Sequence, residues 1–393
     1  MHTMSAPAPL TVLTTRLLAL SAGMAVANSY YNQAFLGHIE SDFPLVSGSV
    51  SLIPVLTQAG NAAGVLFLAP LGDRLERKGL ILATTAALVL ALTGAAIAPD
   101  FQALAWASLL VGLFATVAQQ IVPMAVHLAG SQEKGRVLGK VTGGILIGIL
   151  GARMVGGLIA DYWGWPMVFG FAAISMAGIG IALARALPRV PASTDLGYLR
   201  LLGSLWTLIR SHPTLRLAVT VQFLIFAGFI GFWSNLALLL AGPDFGLGGT
   251  GVGLLALVGI AGALAAPLAG GFADRYGHGG VVAGGTLLAL LAHLLLAIWQ
   301  GSLLALILGV LALDLAVQSS QVANQTRVYA LDPAARSRLN TIFMTVMLSG
   351  GAIGAGLGGL AFAAWGWTGP CLFGVGTAAL AFAVQTIGGR KMA

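Results

Sequence analysis

Along the chain, apolar residues do not alternate with polar ones. They run in long continuous blocks broken by glycine, proline or clustered charge. Blocks of about 20 mostly apolar residues have the length a helix needs to cross a bilayer. Twelve are predicted: near 14–37, 49–71, 80–98, 103–127, 137–161 and 166–187, then 215–241, 251–273, 280–299, 303–326, 339–362 and 369–388. Such unbroken runs exclude a transmembrane barrel, whose strands alternate apolar and polar residues. Residues 188–213 form the one connection with room for a linker. Within it, Leu199-Arg200-Leu201-Leu202 through Leu205-Trp206 to Leu208-Ile209-Arg210 reads as an amphipathic helix lying on the membrane surface. The expected organisation is a six-helix bundle over 1–187, a linker over 188–213 and a second six-helix bundle over 214–393.

Composition sharpens this. Of 393 residues, 58% are hydrophobic and 8% charged, whereas soluble domains carry roughly 25% charged residues. That excludes a water-soluble enzyme, because too little charge remains to coat a soluble surface. The net charge of +7 raises nucleic acid as a partner, but its placement points elsewhere. Alternate connections carry Arg74, Arg77 and Lys78; Lys134 and Arg136; Arg185 to Arg216; Arg275; and Arg336 with Arg338. Arg16, Arg390 and Lys391 add to the same side, while 38–48, 99–102, 162–165, 242–250, 300–302 and 363–368 hold no Lys or Arg. The positive-inside rule therefore predicts both termini in the cytoplasm, and no nucleic acid is needed to explain the charge. The single cysteine, Cys371, excludes an intramolecular disulfide. The first apolar block reads as a retained span, since Met1 to Leu10 shows no charged leader with a cleavage site.

The two halves repeat one another. Gly72-Asp73-Arg74 returns as Ala273-Asp274-Arg275 at an offset of 201, and Trp163-Gly164-Trp165 returns as Trp365-Gly366-Trp367 at an offset of 202. Gly156-Gly157 returns as Gly358-Gly359. The turn after the second span reads Ala69-Pro70-Leu71-Gly72-Asp73-Arg74-Leu75-Glu76-Arg77-Lys78, and its second copy reads Gly270-Gly271-Phe272-Ala273-Asp274-Arg275-Tyr276-Gly277-His278. Over essentially its whole length the chain resembles the major facilitator superfamily, whose loop signature is Gly-x3-Asp-Arg-x-Gly-Arg-Lys. The first copy lacks both outer glycines of that signature and the second lacks its basic pair. The resemblance implies an all-α membrane protein of the inner membrane, with twelve transmembrane helices in two pseudo-symmetric six-helix bundles, the major facilitator fold. It also implies a cytoplasmic gate at Asp73, Arg74, Arg77, Asp274 and Arg275. In that gate Asp73 meets the positive end of a neighbouring helix while Arg74 and Arg77 hold the interface. The other reading makes these residues solvated topology charges. Asn28-Ser29-Tyr30-Tyr31-Asn32-Gln33 is similar to the drug:proton antiporter branch. Two positions depart from it: Ser108 stands where that branch has an arginine, and Arg153 where it has a proline.

Charge at bilayer depth is costly and marks functional candidates. Of the 12 acids only Asp314 falls deep in a span, about 17 Å in at 1.5 Å per residue. Of the 19 basic residues only Arg153 is comparably deep, about 24 Å along its helix. Either the two neutralise each other across the halves, or Asp314 exchanges a proton while Arg153 responds to it or binds an anion. Asp314, Gln318, Gln321 and Gln325 share one helical face, and a polar stripe of that length is expected to line a hydrated cavity. Gln119 and Gln120 before Pro123, Asn28, Tyr31 and Asn32, and Gln58 with Asn61 are the expected facing polar groups. Gln222, Phe226, Phe229 and Trp233 with Asn235 form an amide-and-aromatic stripe. It serves either as packing or as the wall of a cavity for an uncharged or weakly charged amphiphile. Glycine runs at 143–157 and 350–359 suit close helix packing or rocking of the halves.

These residues predict a monomeric secondary transporter moving a small organic molecule by alternating access, coupled to protons and directed outward. Its partners are then the lipid bilayer, protons and the cargo, with no cofactor, metal or catalytic residue. Proton-coupled uptake of a small organic anion held by Arg153 is the alternative, followed by a non-transporting receptor or lipid scramblase. Catalysis at His38-x3-Asp42, or weak cation binding there, is the remaining reading of a loop that is otherwise simply solvated. No Gly-x4-Gly-Lys-Ser/Thr occurs to cradle a nucleotide.

Overall fold

Lipid offers backbone groups no hydrogen-bond partner, so continuous apolar blocks can cross it only as helices that bond within themselves. The computed structural model describes residues 11–44, 49–129, 133–192, 197–265, 268–332 and 335–390, excluding side chains at 260–276 and 390. Among the described residues the secondary structure is helical, with no strand. Ten helices are long and apolar enough to span a membrane, and the shorter apolar Val12–Ala27 and Gly249–Gly259 bring the number to twelve.

In the first bundle α1 (Val12–Ala27) leads through a 3-10 turn, Tyr31–Ala34, into the short α2 (Leu36–Asp42). There follow α3 (Leu52–Leu68), α4 (Leu71–Arg74), α5 (Arg77–Ala96), α6 (Phe101–Phe114), α7 (Val117–Leu128), α8 (Lys134–Trp163) and α9 (Trp165–Ala186). The surface helix α10 (Tyr198–Ser211) joins it to α11 (Pro213–Ala241), α12 (Gly249–Ala265), α13 (Leu268–Ile298), α14 (Leu303–Tyr329), α15 (Arg336–Trp365) and α16 (Thr368–Arg390). Helix α10 turns Leu201, Leu205 and Leu208 inward and leaves Leu199 and Trp206 exposed, as its amphipathic pattern predicts.

Two predicted spans are not continuous. The block at 14–37 leaves the α-helix after Ala27, where the Asn28 amide donates to the carbonyls of Met24 (2.7 Å) and Ala25 (3.2 Å) and so satisfies the open end of α1. The block at 103–127 breaks between Phe114 and Val117, and α7 carries Pro123, which has no N–H for the preceding turn. The end of the eighth span continues into α13, where Gly277 (φ 73°) turns the chain into the ninth.

The sequence repeat has a conformational cause. Gly164 (φ 85°) and Gly366 (φ 57°) each occupy the left-handed region between two spans, which side-chain-bearing residues rarely adopt. Within the bundles, Gly148 packs on the backbone of Gly23 and Gly354 on that of Ala227, so α1–α8 and α11–α15 are the same close pair in two copies. Between the bundles, Gly157 of α8 packs on Gly249 at the start of α12, and Gly359 of α15 packs on Ser51 before α3. These repeated seams lie on the side away from the basic connections. Large apolar side chains such as Leu13, Leu90, Ile147 and Leu360 are exposed and face the hydrocarbon.

Candidate functional site

A layer of almost wholly buried polar side chains is built by Asn32, Gln33, Gln58 and Arg153 from the first bundle and Asp314 from the second; Asn324, with Gln222, is buried about 15 Å along α14 toward the basic side, and Asn235 toward the opposite face. Arg153 is at its centre. Its Nε donates to Gln33 Oε1 at 3.0 Å, and its guanidinium carbon sits 3.9 Å from the centre of the Trp233 ring and 5.3 Å from that of Tyr30. The Trp233 contact crosses from one bundle to the other. Both Nη atoms are buried and lack a hydrogen-bond partner.

Asp314, on α14, is 1% exposed, and its Oδ2 lacks a hydrogen-bond partner. Its carboxylate lies against Gly259 of α12, where a Cβ would come 2.8 Å from Oδ2. Asp314 and Arg153 sit on opposite bundles, on α14 and α8. Among the described residues, however, no ion pair within 4.0 Å joins them. The full neutralisation that the sequence left open is therefore not made in this conformation.

Around this centre the expected polar residues divide. Asn32 donates to Thr57 Oγ1 (2.8 Å) and Asn61 to Ser29 Oγ (3.0 Å), joining the first and second spans. Gln58 lies beside Tyr30, and Tyr31 is buried against Gly156. Asn28 is occupied by its own helix end. On the other bundle Phe226 stacks on Phe229 (5.9 Å), which meets Trp233 edge-on (6.3 Å). Gln222 accepts from Asn324 at 3.2 Å, and Asn235 donates to Gly231 O at 2.8 Å.

Gln119 and Gln120 are not part of this layer. They line a cavity of about 400 Å³ on the basic side, together with Asp73, Arg77, Tyr329, Ser337 and Asn340. Gln120 donates to Thr84 there (3.2 Å). The stripe below Asp314 runs toward that cavity: Gln318, Gln321 and Gln325 are half-buried, and Gln325 donates to Asn340 Oδ1 at 3.4 Å. Gln33, Tyr30, Asn324 and Gly259 were missed as site residues. Gln33 ends the quoted Asn28-to-Gln33 run, but the 3-10 turn, not helical spacing, aims it at Arg153.

At the basic side Asp73 accepts from Ser337 Oγ (3.4 Å) in the first turn of α15, so its carboxylate lies at the positive end of a helix of the other bundle. Arg77 turns back to hold the loop itself, donating to Gly72 O (3.2 Å) and Asp73 Oδ1 (3.4 Å). The structure leaves Arg74 exposed and does not bring it to the interface. The side chains of Asp274 and Arg275 lie outside the described residues. The missing signature glycine is replaced by a cap: Glu76 accepts from the backbone of Lys78 (3.0 Å) and Gly79 (2.8 Å) at the start of α5.

The opposite face carries a tie that sequence patterning did not single out. Asp161, near the end of α8, accepts from Gly249 N (2.8 Å), Thr250 N (2.7 Å) and Thr250 Oγ1 (2.6 Å) at the start of α12. His38 Nε2 lies 3.2 Å from the same carboxylate. Asp42 accepts from Trp165 Nε1 at 2.7 Å. The His38–Asp42 segment is thus occupied by structural contacts, and no metal cluster occurs among the described residues.

Two repeated helical bundles, a buried polar layer between them and a carboxylate-to-helix tie on each face define a polytopic membrane transporter. The profile of the Major Facilitator Superfamily matches residues 18–262 and 218–387, and the chain belongs to that family. It is 43% identical over 363 residues to YgaY, an uncharacterized transporter of Escherichia coli O157:H7, covering 91% of each chain. Among solved structures it is similar in fold to the nucleoside transporter NupG (TM-score 0.76, 16% identity, 94% of this chain and 99% of that one). It is likewise similar to the human organic anion transporter MFSD10 (TM-score 0.69, 18% identity, 95% and 98%).

Proposed function

We propose that this transporter couples movement of a small organic molecule to protons by alternating access, with Asp314 as the proton-exchanging group and Arg153 as the group that responds to it. The observation that carries this reading is the pair of buried, opposite, unjoined charges: Asp314 Oδ2 and both Arg153 Nη atoms without hydrogen-bond partners, on opposite bundles. Leaving buried charges incompletely paired costs several kcal/mol. Changing the charge of Asp314 by one proton therefore alters what holds Arg153 on Trp233, and with it the contact between bundles. Asp73 at the start of α15 and Asp161 at the start of α12 then act as ties on the cytoplasmic and outer faces. Efflux is the direction we assign, supported by the likeness of the Asn28-to-Gln33 run to drug:proton antiporters.

The free Nη donors favour one second reading. A guanidinium stacked on Trp233 still presents its edge, the geometry that takes a carboxylate in two parallel hydrogen bonds. That suits proton-coupled uptake of a small organic anion. The fold likeness to MFSD10, a human organic anion transporter, is in keeping with it. The test has two stages. Thermal shift of the purified protein against nucleosides, organic anions and cationic amphiphiles identifies a cargo class. Flux of that cargo into proteoliposomes under imposed pH gradients of either sign then gives coupling and direction. Flux indifferent to the gradient would sink the proton-coupled reading.

A further inference from the structure

On the exposed side of the first bundle, α1, α8 and α9 enclose an apolar groove of about 690 Å³ whose inner end reaches Tyr31 and Ala152. Its floor is made of small residues, Ala19, Gly23, Gly144 and Gly148, and its rim of exposed Leu20, Ile147 and Phe171. Gly144 and Gly148 are needed for the contact with α1, because a Cβ on either would meet its backbone. Gly143 and Gly151 also line the groove, yet a Cβ at either would meet nothing within 4 Å. Helix packing does not explain those two glycines, a feature they share with others such as Gly94, Gly170 and Gly178; here the open space lies in the groove.

The groove is charged at one end only. Arg16 and Lys140, both exposed, stand at its mouth on the basic side, and no acidic residue lines it. Along α8 it runs from Lys140 to Val155, or about 22 Å at 1.5 Å per residue. Because Arg153 lies about 24 Å along the same span and the hydrocarbon is about 30 Å thick, the groove starts at the basic side and runs past the midplane. An apolar trough that begins between two cations on the basic side and runs about 22 Å inward matches a single long-chain amphiphile of defined polarity.

We propose that this groove is a binding site for an anionic glycerophospholipid of the leaflet on the basic side. An acyl chain lies along the glycine floor, and the phosphate is held between Arg16 and Lys140. A free phosphate lacks the chain that the floor accepts, and a zwitterionic lipid lacks the net charge that the mouth selects.

The test titrates purified full-length protein in neutral detergent with phosphatidylglycerol, phosphatidylcholine or glycerol 3-phosphate, counting bound molecules by native mass spectrometry. Phosphatidylglycerol is expected to fill one tight site with at least tenfold preference over phosphatidylcholine, and glycerol 3-phosphate is expected not to compete. Arg16→Gln with Lys140→Gln should weaken that site about 30-fold, from about 1 kcal/mol per basic residue. The charge-matched control Arg200→Gln with Arg210→Gln, on α10, should leave it unchanged. Gly143→Leu with Gly151→Leu should abolish the site by filling the groove, with the unfolding temperature preserved. Should that variant fail to fold, the Arg16/Lys140 pair decides alone. Equal retention of phosphatidylglycerol by the Arg16/Lys140 variant and the parent would overturn the proposal, as would effective competition by glycerol 3-phosphate.

Discussion

Replacing Asp161 by alanine should open the face opposite the basic connections. The carboxylate of this residue, in the first bundle, accepts three hydrogen bonds of 2.6–2.8 Å from the start of α12 in the second and lies 3.2 Å from His38. Hydrogen bonds to a charged group contribute about 1.5–3 kcal/mol each when buried. The Asp161 side chain is 20% exposed, so water replaces part of this when the face opens. A net loss of about 2–3 kcal/mol for the whole tie is therefore expected, equivalent to a shift of about 30- to 150-fold toward the state open on that face. Spin labels on cysteines placed at Ser41 and Asp244, both exposed on that face and on opposite bundles, report the shift by pulsed electron-electron resonance. In Asp161→Ala the distance distribution should move to longer values. Thr250→Val, which removes only the hydroxyl donor, should move it less, and the two changes together should be less than additive. An unchanged distribution in Asp161→Ala, with the protein folded, would refute the reasoning.

Three further outcomes follow from the geometry. Arg153→Lys should lose nearly as much transport as Arg153→Ala, because an ammonium cannot reproduce a planar group stacked 3.9 Å from Trp233; flux in proteoliposomes checks this, and full activity in the lysine variant would contradict it. Gly164→Ala and Gly366→Ala should each destabilise by about 1–3 kcal/mol because their φ/ψ of 85°/154° and 57°/−149° are essentially open to glycine alone, whereas Gly151→Ala should not, as read from thermal unfolding of the purified variants. Asp73→Asn should weaken the contact with Ser337 at the start of α15, raising the reactivity of a cysteine placed at Asn340 in the basic-side cavity toward a soluble maleimide.

The spans were legible because hydrophobic length in lipid admits few solutions, and the repeat because Gly164 and Gly366 must satisfy the same backbone requirement twice. The breaks at Asn28 and between Phe114 and Val117 were not, because both lie inside unbroken apolar composition. Asp314 and Arg153 stood out by depth alone, since charge is rare there. Their surroundings did not. Gly259 beside Asp314 looks like any membrane glycine, and its role depends on how α12 meets α14. Asp161 gave no signal because a loop-end acid is ordinary until the start of another bundle's helix is found against it. Gln119 and Gln120 were placed at the site from the pseudo-symmetry of the spans, but their depth assigns them to the basic-side cavity.

The most direct test of proton coupling through Asp314 is gradient-driven accumulation of the cargo in proteoliposomes, comparing the parent with Asp314→Asn. The amide keeps the size of the side chain beside Gly259 but cannot exchange a proton. The parent should concentrate cargo when a pH gradient is imposed, while Asp314→Asn should only equilibrate it, with exchange of labelled for unlabelled cargo retained. Full gradient-driven accumulation by Asp314→Asn would contradict the proposal.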